Sequence, residues 1–339
     1  MDPRGFPTSL PEFQRVFPND SACAAYLEKV RWPEGFACAK CGIAGEPYRP
    51  TKRSAVAFQC RNCKAMTSLT AGTVMQSTHT PLSVWFWGAY LVTTQTAGQS
   101  ALQFQRQLSI GRYETAFQML HKLRAGMVRP DRDTIGDQYP VEIDETYVGG
   151  RTRGEGRGVH HKATVVGAVE VRHRKAGEDR AANGRDAHKD GKPLKRLTYA
   201  GRLRLMVVPD RKAVSLMSFV ERHVTKGSLV RTDGWEGYNG LGALGYEHDP
   251  VVLDGDPGLA DKHLPMIHLV FSNLKTWILG THHGTSQQHL QAYLNEYVFR
   301  FNRRFYPMTA FNSVLGLAAK VVPPTYDSLY SGEWVHPAD

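Results

Sequence analysis

VEIDETYVGG, residues 141–150, decides how the rest of this chain is read. Val141, Ile143 and the run from Thr146 to Val148 favour a β-strand, and the closing glycines favour a turn. Asp144 stands in the middle of that strand. An unpaired carboxylate in a buried sheet costs several kcal/mol, so Asp144 requires a cation, a hydrogen-bond network or a solvated sheet edge.

Downstream, RTRGEGRGVHHK and ATVVGAVEV extend the motif into a hairpin with a long glycine-rich tip. Between Arg151 and Arg204 there are fifteen Lys+Arg against six Asp+Glu, close to the whole net charge of +10. The part from about 172 to 200 is polar, aperiodic and basic, which suits either a solvated loop or a clamp on a nucleic-acid backbone. RLRLMVVPD then reads as a third strand, AVSLMSFVERHV as a helix and SLVRTD as a further strand ending in Asp233. If that last strand lies beside the first, Asp144 and Asp233 converge. Two carboxylates that close repel unless a divalent cation joins them. A paired metal site of this kind activates a water or a 3′-hydroxyl for in-line phosphoryl displacement, the logic of a ribonuclease-H-like core.

Upstream, Cys38 and Cys41, then Cys60 and Cys63, form two C-x-x-C knuckles with 18 residues between them. That spacing suits one structural Zn²⁺ held by four thiolates in a ribbon, and the zinc would hold together a module too small to do so by apolar burial. Cys23, in an Ala-rich setting, reads as a small core residue. Arg49, Lys52, Arg53, Arg61 and Lys64 can track a phosphate backbone or form a solvated face. After the ribbon the spacing becomes helical. GQSALQFQRQLSIGRYETAFQMLHKLRAGM has the shape of a helix-turn-helix, with Arg112, Tyr113, Thr115, Gln118, His121, Lys122 and Arg124 on a polar face able to enter a major groove, and the same periodicity suits a plain two-helix hairpin in a bundle.

The chain of 339 residues, 41% of them hydrophobic, has room for two or three domains with a sizeable core. The expected division is a zinc ribbon over 1–75, a helix-turn-helix-like DNA-binding segment over 76–135, a ribonuclease-H-like α/β domain over 138–305 with a mixed sheet flanked by helices, and a C-terminal helix and tail over 306–339. An excess of 42 Lys+Arg over 32 Asp+Glu favours polyanionic partners. The sequence contains no apolar run of membrane-spanning length, and MDPRGFPTSL lacks the character of a secretion signal, so the expected location is the cytoplasm.

Taken together, the knuckles, the helical segment, VEIDETYVGG, VRTDGWEGY and IHLVFSNLKTWILGTHHGTSQQHLQAYLNEYVFRFNRR resemble the ISXO-like group of DDE-type bacterial insertion-sequence transposases, from roughly Phe17 to Arg304. The resemblance implies a Mg²⁺- or Mn²⁺-dependent enzyme of the bacterial nucleoid. It would cut transposon ends at terminal inverted repeats and join them to target DNA, as a homo-oligomer when ends are synapsed. It also implies that Asp144 and Asp233 are the first two metal-binding acids.

The third position departs from the plain DDE pattern. No acid lies between Ile267 and Lys275. His268 stands seven residues before Lys275 and Asn273 two before it. An imidazole nitrogen or an amide oxygen can contact a divalent ion, and the amide suits Mg²⁺ better. Asn273 also suits a helix cap and His268 a core position. Lys275 would hold a phosphate or the transposon end. Glu296, Arg300 and Arg303 share one helix face, and the same Glu-Arg-Arg spacing resembles a transposase signature. Glu296 would then serve as a substitute acid or orient Arg300, and a plain helix salt bridge is the other reading. A rival from a different class is a zinc-ribbon DNA-binding regulator with an inert nuclease-like domain, and a third reading is a general structure-selective nuclease.

Overall fold

The computed structural model describes residues 7–50, 56–129, 133–149, 162–173, 198–251, 262–319 and 325–331. The chain divides into two compact units, Met1–Pro130 with Tyr306–Ala338, and Asp131–Phe305. Among the described residues no helix is long and apolar enough to cross a membrane.

In the first unit, α1 (Leu10–Val16) starts at Ser9 and α2 (Asp20–Arg31) at Asn19, and each cap side chain accepts a first-turn N–H. Two short antiparallel strands follow, β1 (Ala57–Gln59) and β2 (Met66–Ser68). Next come α3 (Leu82–Thr94), α4 (Ala101–Gln107) and α5 (Tyr113–Ala125). Aromatic side chains knit the helices together. Phe13 lies 4.4 Å from Tyr90 and 5.5 Å from Phe311, and Phe17 lies 4.9 Å from Phe86. Phe311 belongs to the helix Pro307–Ala318, so the C-terminal part of the chain returns to complete this core.

The helix pair α4 and α5 turns through Ser109, at φ 51°. In α5, Ala116, Leu120 and Leu123 are buried as their spacing predicts, but so are His121 and Arg124. The polar face expected of this helix therefore loses His121 and Arg124, while Arg112, Tyr113 and Glu114 are exposed and Thr115, Gln118 and Lys122 half-buried.

The second unit is a mixed five-stranded sheet. β3 (Val141–Val148), β4 (Ala163–His173) and β5 (Thr198–Val208) form an antiparallel meander. After α6 (Ala213–His223), the chain adds β6 (Leu229–Asp233) parallel to β3, then β7 (Glu247–Val251) parallel to β6. The resulting order is β5-β4-β3-β6-β7, the ribonuclease-H-like α/β arrangement that the sequence led us to expect. Strand alternation sends residues to two cores. Ile143, Val166 and Ala168 pack on one face with Leu216 and Phe219 of α6. Val165 and Val169 pack on the other with Ile267 and Phe271 of α7 (Pro265–Trp277) and Leu290 and Leu294 of α8 (Gln287–Asn302).

Helix α8 also covers the outer edge of the sheet. Gln291 accepts the Val207 N–H at 2.8 Å, and Asn302 accepts the Leu203 N–H at 2.8 Å. Backbone groups that an edge strand would otherwise present to another chain are thus partly satisfied.

The basic stretch is only partly described, because residues 174–197 and the hairpin tip 150–161 lie outside the described residues. Three of its arginines serve the fold. Arg172 and Arg202 bind the buried Glu170, and Arg204 is itself buried against the Asp133 carbonyl. These three charges are therefore matched by acids or carbonyls of the fold.

Candidate active site

The site begins where two parallel strands separate. Val141 pairs with Val230 and Glu142 with Arg231, and the ladder then ends. Continuing the same offset brings Asp144 level with Asp233. One oxygen from each of Asp144, Glu145 and Asp233 lies within 4.8 Å of the others. Strand alternation alone would send Glu145 to the opposite face from Asp144. Glu145 does take that face, beside Ile143 and Tyr238, where its carboxylate accepts the Tyr238 hydroxyl at 2.8 Å and the Arg211 Nε at 2.5 Å, and one of its oxygens still reaches the two aspartates.

Electrostatics follow from this crowding. Burial raises the pKa of Glu145, the charges of Asp144 and Asp233 raise it further, and Tyr238 and Arg211 oppose the shift. Burial and Asp144 likewise raise Asp233, against the pull of the Trp235 N–H, Arg211 and His268. A divalent cation would relieve this repulsion, and an all-oxygen carboxylate set suits hard ions such as Mg²⁺ or Mn²⁺. The residues present therefore fit a catalytic metal centre.

Helix α7 reaches the acids because the sheet makes room for it. Gly167 is the register partner of Asp144 on β4, and a Cβ there would come within 2.8 Å of Ile267 and Phe271. The helix is also pinned at its start, where Leu264 provides no side-chain cap. The buried Glu142 accepts the Met266 and Ile267 N–H groups at 2.8 and 2.9 Å. A carboxylate at a helix N-terminus satisfies orphan donors and faces the favourable end of the dipole. Burial pushes Glu142 up to about 7 even against these donors.

With the helix so placed, His268 Nε2 lies 3.2 Å from Asp144 Oδ2. At 3.6 residues per turn, Lys275 lies about 20° round the helix from His268 and Asn273 about 140°. Asn273 is exposed on α7, away from the face that His268 presents to Asp144. Lys275 feels both Asp144 and Lys162, and burial together with Lys162 lowers its pKa. Glu296 is fully buried on α8, with Arg300 at 3.4 Å. Arg303 donates to the Phe299 carbonyl and lies over that ring. Helix α8 borders β5, two strands from β3 in the sheet order.

The cysteines meet as their spacing predicts. Cys38 Sγ lies 3.6 Å from Cys63 Sγ, and Cys41 Sγ 3.7 Å from Cys60 Sγ. A tetrahedral Zn²⁺ with bonds of about 2.3 Å sets sulfur atoms about 3.8 Å apart, so the donor set fits zinc. The two knuckles repeat one geometry. Gly42 and Lys64, each just after a knuckle's second cysteine, adopt positive φ and donate to the carbonyls of Cys38 and Cys60. N–H groups of Cys41 and Lys40 pull the Cys38 thiol down to about 6, favouring the thiolate that binds metal. Cys23 is buried elsewhere, and burial pushes its thiol up to about 12. Among the ribbon's basic residues, Arg49 is engaged by Glu28, and Lys52 and Arg53 lie outside the described residues.

Four residues near the acids escape a reading of the sequence: Glu142, Glu145, Arg211 and Tyr238. The signal for the first two is the unusual density of acids in VEIDET, three within one strand. Arg211 and Tyr238 carry no local signal, since only the fold brings them to Glu145.

Comparison with known protein families agrees with this arrangement. A family model described as an ISXO2-like transposase domain matches residues 136–302, and one described as a transposase zinc-ribbon domain matches residues 18–66. No curated protein and no solved structure matches the chain.

Proposed function

We propose, from the premise that residues 136–302 are an ISXO2-like transposase domain and residues 18–66 a transposase zinc ribbon, that this protein is an insertion-sequence transposase that cuts transposon ends and transfers them to target DNA by metal-dependent phosphoryl transfer. The observation that carries this is the convergence of Asp144, Glu145 and Asp233 where β3 and β6 part. Asp144, Asp233 and Glu145 would hold divalent cations, with His268 beside Asp144 as a neutral fourth donor. Such ions supply an activated water or 3′-hydroxyl and offset charge on the attacking and leaving oxygens.

The chain's own groups set the geometry. Glu142 and Gly167 fix α7 so that His268 meets Asp144 and Lys275 shares the same helix face. Lys275, by charge and position, would contact a phosphate of the bound strand. Arg211 and Tyr238 hold Glu145. Glu296, Arg300 and Arg303 would brace α8, with Glu296 and Arg300 as a buried pair supporting the neighbourhood of Trp277. The zinc ribbon and the exposed first turn of α5 would bind DNA, and two copies of the chain would synapse two ends.

The test is Mg²⁺- or Mn²⁺-dependent cleavage of DNA carrying the element's own terminal repeats, followed by joining to a target duplex. Sequence-specific binding without cleavage under any divalent ion would favour the inert regulator instead. Cleavage indifferent to the repeats would favour a general nuclease.

A further inference from the structure

We infer that a second phosphate subsite adjoins the acids, in the cavity between the start of α6 and the turn after β6, and that it holds a DNA phosphodiester next to the one being cut. This rests on the transposase reading. The cavity, of about 470 Å³, has Arg211, Lys212 and Ala213 on one side and Trp235, Glu236 and Gly237 on the other.

Its cationic lining favours an anion. Arg211 is preorganised. Its Nε and one Nη engage Glu145, and its guanidinium lies 4.5 Å from the centre of the Trp235 ring. Trp235 is fixed in turn, its indole N–H donating to the Arg211 carbonyl at 3.1 Å. A guanidinium carries five N–H donors, so Arg211 keeps donors beyond those that Glu145 takes, on a side chain one-third exposed. Lys212 adds a second cation, its side chain 83% exposed and 3.6 Å from Asp210. Lys212 is also the N-cap of α6, an 11-residue helix with no side-chain cap there. At this helix start the Asp210 carboxylate already accepts the Lys212 N–H at 3.0 Å and the Ser215 hydroxyl at 2.7 Å, so the attraction for a phosphate rests on Arg211 and Lys212. Glu236 is the opposing charge at the rim.

The position ties this cavity to the chemistry. The Trp235 N–H donates to Asp233 Oδ1 at 3.3 Å, and Arg211 holds Glu145, so two of the clustered acids are neighbours of the cavity. A DNA strand presents phosphates in series. A strand with one phosphate at the acids would set an adjacent one beside Arg211.

The experiment uses the full-length, zinc-loaded protein and measures binding to terminal-repeat DNA in Ca²⁺. Single neutral methylphosphonate linkages are moved one position at a time through the transposon strand, and in a separate arm through the target strand. Lys212→Glu and Arg211→Gln are expected to weaken binding about tenfold, the scale of one charge-assisted contact. One neutral linkage should do the same in the wild type and cost nothing further in either variant. The arm in which that linkage lies identifies the strand. Equal, multiplying losses at every position would overturn the subsite. If Arg211→Gln lowers the melting temperature, Lys212→Glu carries the test, because its side chain is exposed. Wild-type cleavage at the repeats with no coupled position would sink the subsite and leave the transposase reading standing. Wild-type binding no better than to unrelated DNA would remove both.

Discussion

Asp144 and Asp233 stand level with each other on adjacent parallel strands, two residues beyond the last paired rung between Glu142 and Arg231. The two strands are close enough to crowd the carboxylates and have just ceased to pair, so the gap opens at the carboxyl end of β6, beside the middle of β3. The carboxyl ends of parallel strands are where ligands enter open α/β sheets in general.

From this crowding comes the first prediction. Asp144→Asn or Asp233→Asn should reduce Mg²⁺-dependent cleavage by about 10³-fold or more, since each removes a charge that holds the metal. DNA binding should stay within a few-fold of wild type. In Mg²⁺-free buffer the Asp233→Asn protein should melt at a slightly higher temperature, by relief of its repulsion from Asp144. Unchanged cleavage in both variants would remove these residues from the site.

A second prediction concerns Glu142, whose folded pKa of about 7 lies above the ordinary carboxylate value near 4.5. Between those values the folded state binds more protons than the unfolded one. Stability of the Mg²⁺-free protein should therefore fall as pH rises from about 4.5 to 7 and level off above, by about 3 kcal/mol in total. Glu142→Gln keeps an acceptor for the Met266 and Ile267 N–H groups and should flatten this slope. Melting curves against pH for the two zinc-loaded proteins would check it, and parallel slopes would count against the buried acid.

For the ribbon, Cys41→Ser should lower bound zinc from one ion towards none and loosen the cluster of Trp32, Phe36 and Phe58, whose rings lie within 5.6 Å of one another. Metal binding supplies much of the folding free energy of so small a module. Zinc analysis with Trp fluorescence would read both effects. Full zinc occupancy in the variant would show that Cys41 is not a ligand.

The strand character of VEIDET, the two knuckles and the strand carrying Asp233 were legible because each is a local pattern of period or spacing. The meeting of Asp144 with Asp233 followed from element order alone. Glu145 was hidden, because period-two alternation puts it on the α6 face with Ile143 and Tyr238, and only the fold shows that its carboxylate still comes within 4.8 Å of both aspartates. Arg211 and Tyr238 were hidden for a different reason: they reach Glu145 from 66 and 93 residues away in sequence. His121 and Arg124 misled in the opposite direction. Their residue types read as an exposed groove-binding face, and tertiary packing buries them.

The last prediction separates the candidates for the third ligand. His268 lies 3.2 Å from Asp144, whereas Asn273 sits about 140° round the same helix, so one helix position cannot present both to the acids. An imidazole brings no charge and suits Mn²⁺ better than Mg²⁺. Cleavage by the wild type should therefore be faster in Mn²⁺ than in Mg²⁺. His268→Glu should shift that preference towards Mg²⁺ by supplying a hard anionic donor. His268→Ala should weaken Mn²⁺ binding about tenfold, while Asn273→Ala should leave both binding and cleavage within about threefold of wild type. Calorimetric Mn²⁺ titration of the zinc-loaded variants, alongside cleavage rates in each ion, decides between them. A large loss in Asn273→Ala with none in His268→Ala would reverse the assignment and require α7 to rotate when DNA and metal bind.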